Sequence, residues 1–169
     1  MIGRLVLGID PGYARCGWGV IRVDEVLPNL KVSCLGFGCI ETPKEEELST
    51  RLAFLDDALQ KIIKNYRPHD VAIETLFFGK NKTSGINVAH ARGVVLMRAA
   101  YHSGKIFQYR PQQVKFACTG INTADKKQVQ HGVASFLGYP SIPKPDDAAD
   151  ALAVALAHAY EMTKDDEIS

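Results

Sequence analysis

The sequence predicts an α/β protein with a five-stranded mixed sheet flanked by helices. Three observations predict it. Short apolar runs of strand length recur between breaks of Pro, Gly and Asp. Segments with apolar residues three and four apart lie between the later runs. The first three strand-like runs follow one another directly, whereas the later ones alternate with helices. Consecutive strands on short links pair antiparallel, and strands joined through a helix pair in parallel, so the combination gives a mixed sheet.

The elements follow in order. Residues 4–10 form a short buried strand that Asp10-Pro11-Gly12 ends. Residues 17–23 form a second strand, Pro28-Asn29 the turn, and residues 31–41 a third, so the three make a meander. After Thr42-Pro43, Leu52, Leu55, Leu59, Ile62 and Ile63 give the stripe of an amphipathic helix that ends near Tyr66, ahead of Pro68. Residues 70–74 are strand four, and Phe78 to Gly85 a loop of Gly, Lys and Asn. A helix of small and apolar residues spans 86–102, and strand five spans 106–109. Pro111 can open a helix over 112–118. Residues 125–137 form another, with Val129, Val133, Phe136 and Leu137 as its apolar side. Asp146 and Asp147 suit the start of a last helix running to about Met162. One domain over residues 1–162 is expected, with residues 163–169 a disordered tail.

The composition narrows the function. A chain of 169 residues with 46% apolar residues can bury a core of its own. No apolar run reaches the length of a membrane span, and no signal-peptide pattern opens the chain, so the expected location is the cytoplasm. Cys16, Cys34, Cys39 and Cys118 show no metal-binding spacing and read as free thiols. The net charge of +1 hides an uneven layout. Residues 75–145 hold 10 Lys/Arg and a single acid, Asp125, whereas residues 146–169 hold one Lys and 7 acids. A basic block beside acidic segments fits a polyanion footprint next to a metal site.

The acids carry the chemistry. Asp10 ends one apolar run, Glu74 ends another, and Asp147 and Asp150 are three apart on one side of the last helix. Asp146 is four from Asp150 and could substitute on spacing alone. Carboxylates at strand ends lie at the sheet rim, where α/β ligand sites form. Gathered there they repel: two unit charges ~4 Å apart interact by roughly 4 kcal/mol at an effective dielectric of ~20. Cations relieve that cost, and hard oxygen donors without thiolates suit Mg²⁺ or Mn²⁺. After Glu74 come Phe77 and the Lys80-Asn81 pair, and an exposed aromatic beside lysines can stack on an unpaired base. No phosphate-binding glycine loop, nucleophile elbow, dinucleotide fingerprint or zinc-protease motif is present.

These stretches together resemble the RuvC family of Holliday junction resolvases, bacterial endonucleases of RNase H-like fold. The resemblance rests on Leu7-Gly8-Ile9-Asp10-Pro11-Gly12, Ala72-Ile73-Glu74 with Phe77 and Lys80-Asn81, and Ala91-Arg92-Gly93-Val94. It continues in Gln113-Val114-Lys115, Lys126-Lys127-Gln128-Val129-Gln130-His131, and the run from Asp147 to Ala153. It implies a homodimer that nicks a four-way DNA junction symmetrically, with RuvA and RuvB as partners. The family's catalytic and metal-binding acids map onto Asp10, Glu74, Asp147 and Asp150, its stacking aromatic onto Phe77, and its basic junction contacts onto Lys115 and Lys126. Lys80, Lys82, Arg92 and Lys127 are further expected DNA contacts. Two Mg²⁺ ions per site, replaceable by Mn²⁺, would hydrolyse the phosphodiester to 5′-phosphate and 3′-hydroxyl ends. The extra Asp146 and the acidic C-terminus depart from the family pattern. Other readings are an RNase H-like nuclease of structured RNA, a junction-binding module without catalysis, and a fragment of a sugar-kinase or actin-like ATPase, for which the chain is too short.

Overall fold

The computed structural model describes residues 3–25, 30–75, 82–102 and 105–167. Its elements are β1 (Arg4–Asp10), β2 (Arg15–Glu25), β3 (Lys31–Glu41), α1 (Leu48–Tyr66), β4 (Asp70–Glu74), α2 (Lys82–Tyr101), β5 (Lys105–Tyr109), α3 (Pro111–Thr119), α4 (Lys126–Phe136) and α5 (Asp146–Glu167). The sheet order is β3-β2-β1-β4-β5. β1 pairs antiparallel with β2, as β2 does with β3, while β4 lies parallel to both β1 and β5. The mixed five-stranded sheet is therefore the one the element order predicts.

Strand alternation sorts the side chains onto two faces. Leu7, Ile9, Val71 and Ile73 pack with Leu55, Leu59 and Ile63 of α1 and Ala91, Val95 and Ala99 of α2. Val6, Ile21, Val23 and Ala72 pack instead with α3, α4 and α5. Leu152 and Leu156 of α5 are fully buried, and each such side chain contributes about 1.5–3 kcal/mol relative to exposure. α5 lies unusually close to the sheet because both surfaces are small. A Cβ on Gly8 would fall 2.1 Å from the Ala151 carbonyl oxygen, and one on Gly17 would fall 1.9 Å from that of Asp147.

Helix ends follow local chemistry. Asp125 caps α4 by accepting from the Gln128 backbone N–H (2.9 Å), and the Gln128 side chain accepts in return from Asp125 N–H (2.8 Å). Pro111 opens α3, and Gly120, at φ 73°, closes it. Beneath α5, Arg4 makes a two-pronged ion pair with Asp70, which also accepts from His158 Nε2 (3.1 Å). Tyr109 Oη meets His158 Nδ1 at 2.6 Å. This buried network ties β1, β4, β5 and α5 together.

The largest departures from the sequence expectations are in three elements. β2 is longer than the predicted 17–23, because it pairs with β3 along almost its whole length. Residues 82–85, read as loop, open α2, where a single Gly in the first turn does not prevent helix formation. Residues 163–167, read as disordered tail, continue α5. No Gly or Pro intervenes there, and Lys164 pairs with Glu161 (2.8 Å). Among the described residues no helix is long and apolar enough to cross a membrane.

Candidate active site

The alternation that builds the two cores also places the first two acids. Asp10 has the parity of Val6 and Gly8, and Glu74 that of Ala72, all on the α5 side of the sheet. β1 and β4 are parallel neighbours with Ile9 opposite Ile73. Asp10 and Glu74 thus leave adjacent strand ends on one face, at the rim where α/β sheets bind ligands. The Thr75 N–H donates to the Tyr109 carbonyl (2.8 Å) and holds the chain just past Glu74.

Two further acids come from the start of α5. Gly17 stands opposite Asp10 in the β1–β2 register. Its missing side chain lets the first turn of α5 reach the sheet at Asp147. A cleft of about 260 Å³ opens there, lined by Asp10, Glu74 and Asp150 with Lys115 and Lys126. Pro111, Val114, Val129 and Ala153 form its apolar wall. Asp147 lies one turn before Asp150 and outside this lining.

The electrostatics are those of crowded carboxylates. Burial, reinforced by Asp150, Glu74 and Asp147, pushes Asp10 up to about 7 from 3.8. Burial and then Asp150 raise Glu74 against the opposing pull of Lys115. Burial raises Asp150 despite Lys126. Basic side chains occupy what they can reach. Lys126 Nζ donates to Asp150 Oδ2 (2.8 Å), Arg15 Nε to Asp147 Oδ2 (2.8 Å), and Lys144 Nζ to Asp146 Oδ1 (2.6 Å).

Among the described residues no three Asp, Glu, His or Cys side chains stand close enough to enclose one ion. Asp147 and Asp150 rest instead on Arg15 and Lys126. The donor set still fits a hard divalent cation. It is all carboxylate oxygen, it is half-buried, and three of its members carry a raised pKa that a cation would relieve.

The other predicted residues fall in several places. Lys115 and Lys126 line the cleft. Lys127 is exposed on α4, its carbonyl accepting from His131 Nδ1 (2.7 Å). Arg92 lies on α2, across the sheet from the cleft, and donates to Gln108 of β5. Phe77 and Lys80 lie outside the described residues, as does the side chain of Lys82. Sequence reasoning missed Arg15 and Glu41. Their only signal is a cross-strand charge pair, Arg15 opposite Glu41, which needs the hairpin register to be seen.

The family profile described as "Crossover junction endodeoxyribonuclease RuvC" matches residues 6–158. A protein of that name from Finegoldia magna is 44% identical over 155 residues, which cover 92% of each chain. The Thermus thermophilus RuvC structure superposes with a TM-score of 0.88 at 33% identity, covering 95% of this chain and 96% of that one. The T. thermophilus RuvC in complex with Holliday junction substrate gives 0.85 at 31% identity, with the same coverage.

Proposed function

The chain belongs to the RuvC family of crossover junction endodeoxyribonucleases, and on that premise we propose how its residues cut DNA. It is a Holliday junction resolvase, a nuclease that depends on divalent metal. The finer reading has Asp10, Glu74, Asp147 and Asp150 hold two Mg²⁺ ions, replaceable by Mn²⁺. Bound there, the ions supply Lewis acidity that makes a water a competent nucleophile and neutralises charge at the departing 3′ oxygen. The observation that carries this reading is the meeting of the strand-end carboxylates Asp10 and Glu74 with Asp150 of α5 in a cleft that also holds Lys115 and Lys126.

The chain's own groups do the rest. Asp10 and Glu74, on rigid strand ends, keep their positions. Asp150 is released when Lys126 moves from its carboxylate to a phosphate of the incoming strand. Lys115 and Lys126 neutralise backbone charge, and exposed Lys127 extends the basic surface. Phe77, Lys80 and Lys82 are the further junction contacts of this reading, with Phe77 stacked on an unpaired base. Paired nicks leave 5′-phosphate and 3′-hydroxyl ends.

A homodimer matches the two equivalent scissile sites of a junction. Its interface is assigned to α2, where Ile86, Met97 and Tyr101 are exposed and Gly93 faces open space. RuvA and RuvB are the proposed partners, and the cytoplasm the location. Incubating the protein with a mobile synthetic junction and Mg²⁺, and mapping both cuts, tests the reading. Symmetric nicks lost in Asp10→Asn but with junction binding retained are expected. Cleavage of structured RNA in place of the junction would overturn the substrate assignment.

A further inference from the structure

Arg15 is the first residue of β2 and stands opposite Glu41, the last residue of β3. Its guanidinium spans two carboxylates. Nε donates to Asp147 Oδ2 at 2.8 Å, and an Nη donates to Glu41 Oε1 at 2.5 Å. The contact joins the start of β2 to the first turn of α5, between residues 132 apart in the chain. Asp147 Oδ1 takes no hydrogen bond from the described residues, so one oxygen is held and one is free.

The charges matter as much as the geometry. A lone guanidinium beside a cation site would repel the cation. Here Glu41 offsets the guanidinium, so Arg15 can orient Asp147 without leaving a net positive charge at the site. Asp146, next in the chain, has a different arrangement. Its partner Lys144 is two residues away and reaches it through a single ammonium on a flexible stem. A planar fork fixed at two ends orients a carboxylate, whereas a flexible ammonium does not. Carboxylates that bind metals depend on such outer contacts, whose removal typically costs about 10–100-fold in affinity.

We propose that Arg15, balanced by Glu41, is a positioning residue that presents Asp147 to a divalent cation, and that this contact selects Asp147 over Asp146. The proposal rests on the reading of Asp147 as a metal ligand. Mn²⁺ titration of the intact protein without DNA, followed calorimetrically, tests it in four forms: wild type, Arg15→Met, Asp147→Asn and the double variant. Arg15→Met is expected to weaken Mn²⁺ binding by about tenfold or more. The double variant is expected to bind no worse than Asp147→Asn alone, because the arginine acts through that carboxylate. Arg15→Lys keeps the charge without the fork and restores nothing, and Glu41→Gln weakens binding several-fold. Arg15→Gln provides a second truncation should the first fail to fold, and melting in EDTA checks each variant.

Wild-type Mn²⁺ affinity in both Arg15 truncations, or a loss that adds in full to that of Asp147→Asn, overturns the proposal. So does unchanged Mn²⁺ affinity with a salt slope of junction binding reduced by about one, the mark of a phosphate contact. If Asp147→Asn itself leaves Mn²⁺ binding intact, the ligand reading has failed instead.

Discussion

Replacing Asp10 by Asn should stabilise the metal-free protein at neutral pH while abolishing cleavage. Asp10 sits among Asp150, Glu74 and Asp147, and its carboxyl is held at about 7 rather than 3.8. The folded chain therefore binds a proton more tightly than the unfolded chain does. Below 3.8 both states hold the proton, and stability is unaffected. Between 3.8 and about 7 the unfolded state releases it first, so stability falls as pH rises, and above 7 the full cost is present. At about 1.36 kcal/mol per pH unit, that cost approaches roughly 4 kcal/mol. Water in the open cleft screens part of it, which leaves an expected gain of about 2 kcal/mol for Asp10→Asn. In a chain of this size the gain raises the melting temperature by on the order of 5 °C. The assay is thermal melting in EDTA from pH 4 to 9. The variant should show a flatter pH profile than wild type and a higher midpoint at pH 8. Added Mn²⁺ should raise the wild-type midpoint, because a ligand bound only to the folded state stabilises it. Equal pH slopes, or a variant less stable at pH 8, would refute the crowding of carboxylates on which the site rests.

Other perturbations test the scaffold. Gly17→Ala puts a Cβ 1.9 Å from the Asp147 carbonyl oxygen, so the first turn of α5 must move. Mn²⁺ affinity and junction nicking should each fall at least tenfold, as calorimetry and a gel assay would read. Lys126→Ala removes the partner of Asp150. Filter binding should show the salt slope of junction binding reduced by about one in Ca²⁺, where Lys126 is free, and by less in EDTA. Asp70→Ala leaves Arg4 and His158 without the buried carboxylate they share. Denaturant melts should show a loss of about 3 kcal/mol.

The fold was largely legible in the sequence because its signals are local. Short apolar runs closed by Asp-Pro-Gly or followed by helix stripes identify β1, β3 and β4 with few alternatives. β2 and α2 were harder. The ends of β2 are strand only because β3 lies beside them, and the start of α2 carries a Gly that reads as loop. The basic residues illustrate the same limit within the site. Lys115 and Lys126 reach the cleft because α3 and α4 pack beside α5, whereas Arg92 rides on α2 across the sheet. Composition marks all of them as one block, since a count of charges carries no record of which face a helix covers.

From the chain alone came the order of the elements, the acids that close strands β1 and β4, and the spacing that puts Asp147 and Asp150 on one side of a helix. Each follows from neighbours within a few residues, where backbone periodicity governs. Three-dimensional packing settled the shared face of Asp10 and Glu74, the approach of α5 over Gly8 and Gly17, and the hold of Arg15 and Lys126 on the helix acids. The Arg15–Asp147 contact alone joins residues 132 positions apart. Strand register and close packing bring them together, and no local period encodes either.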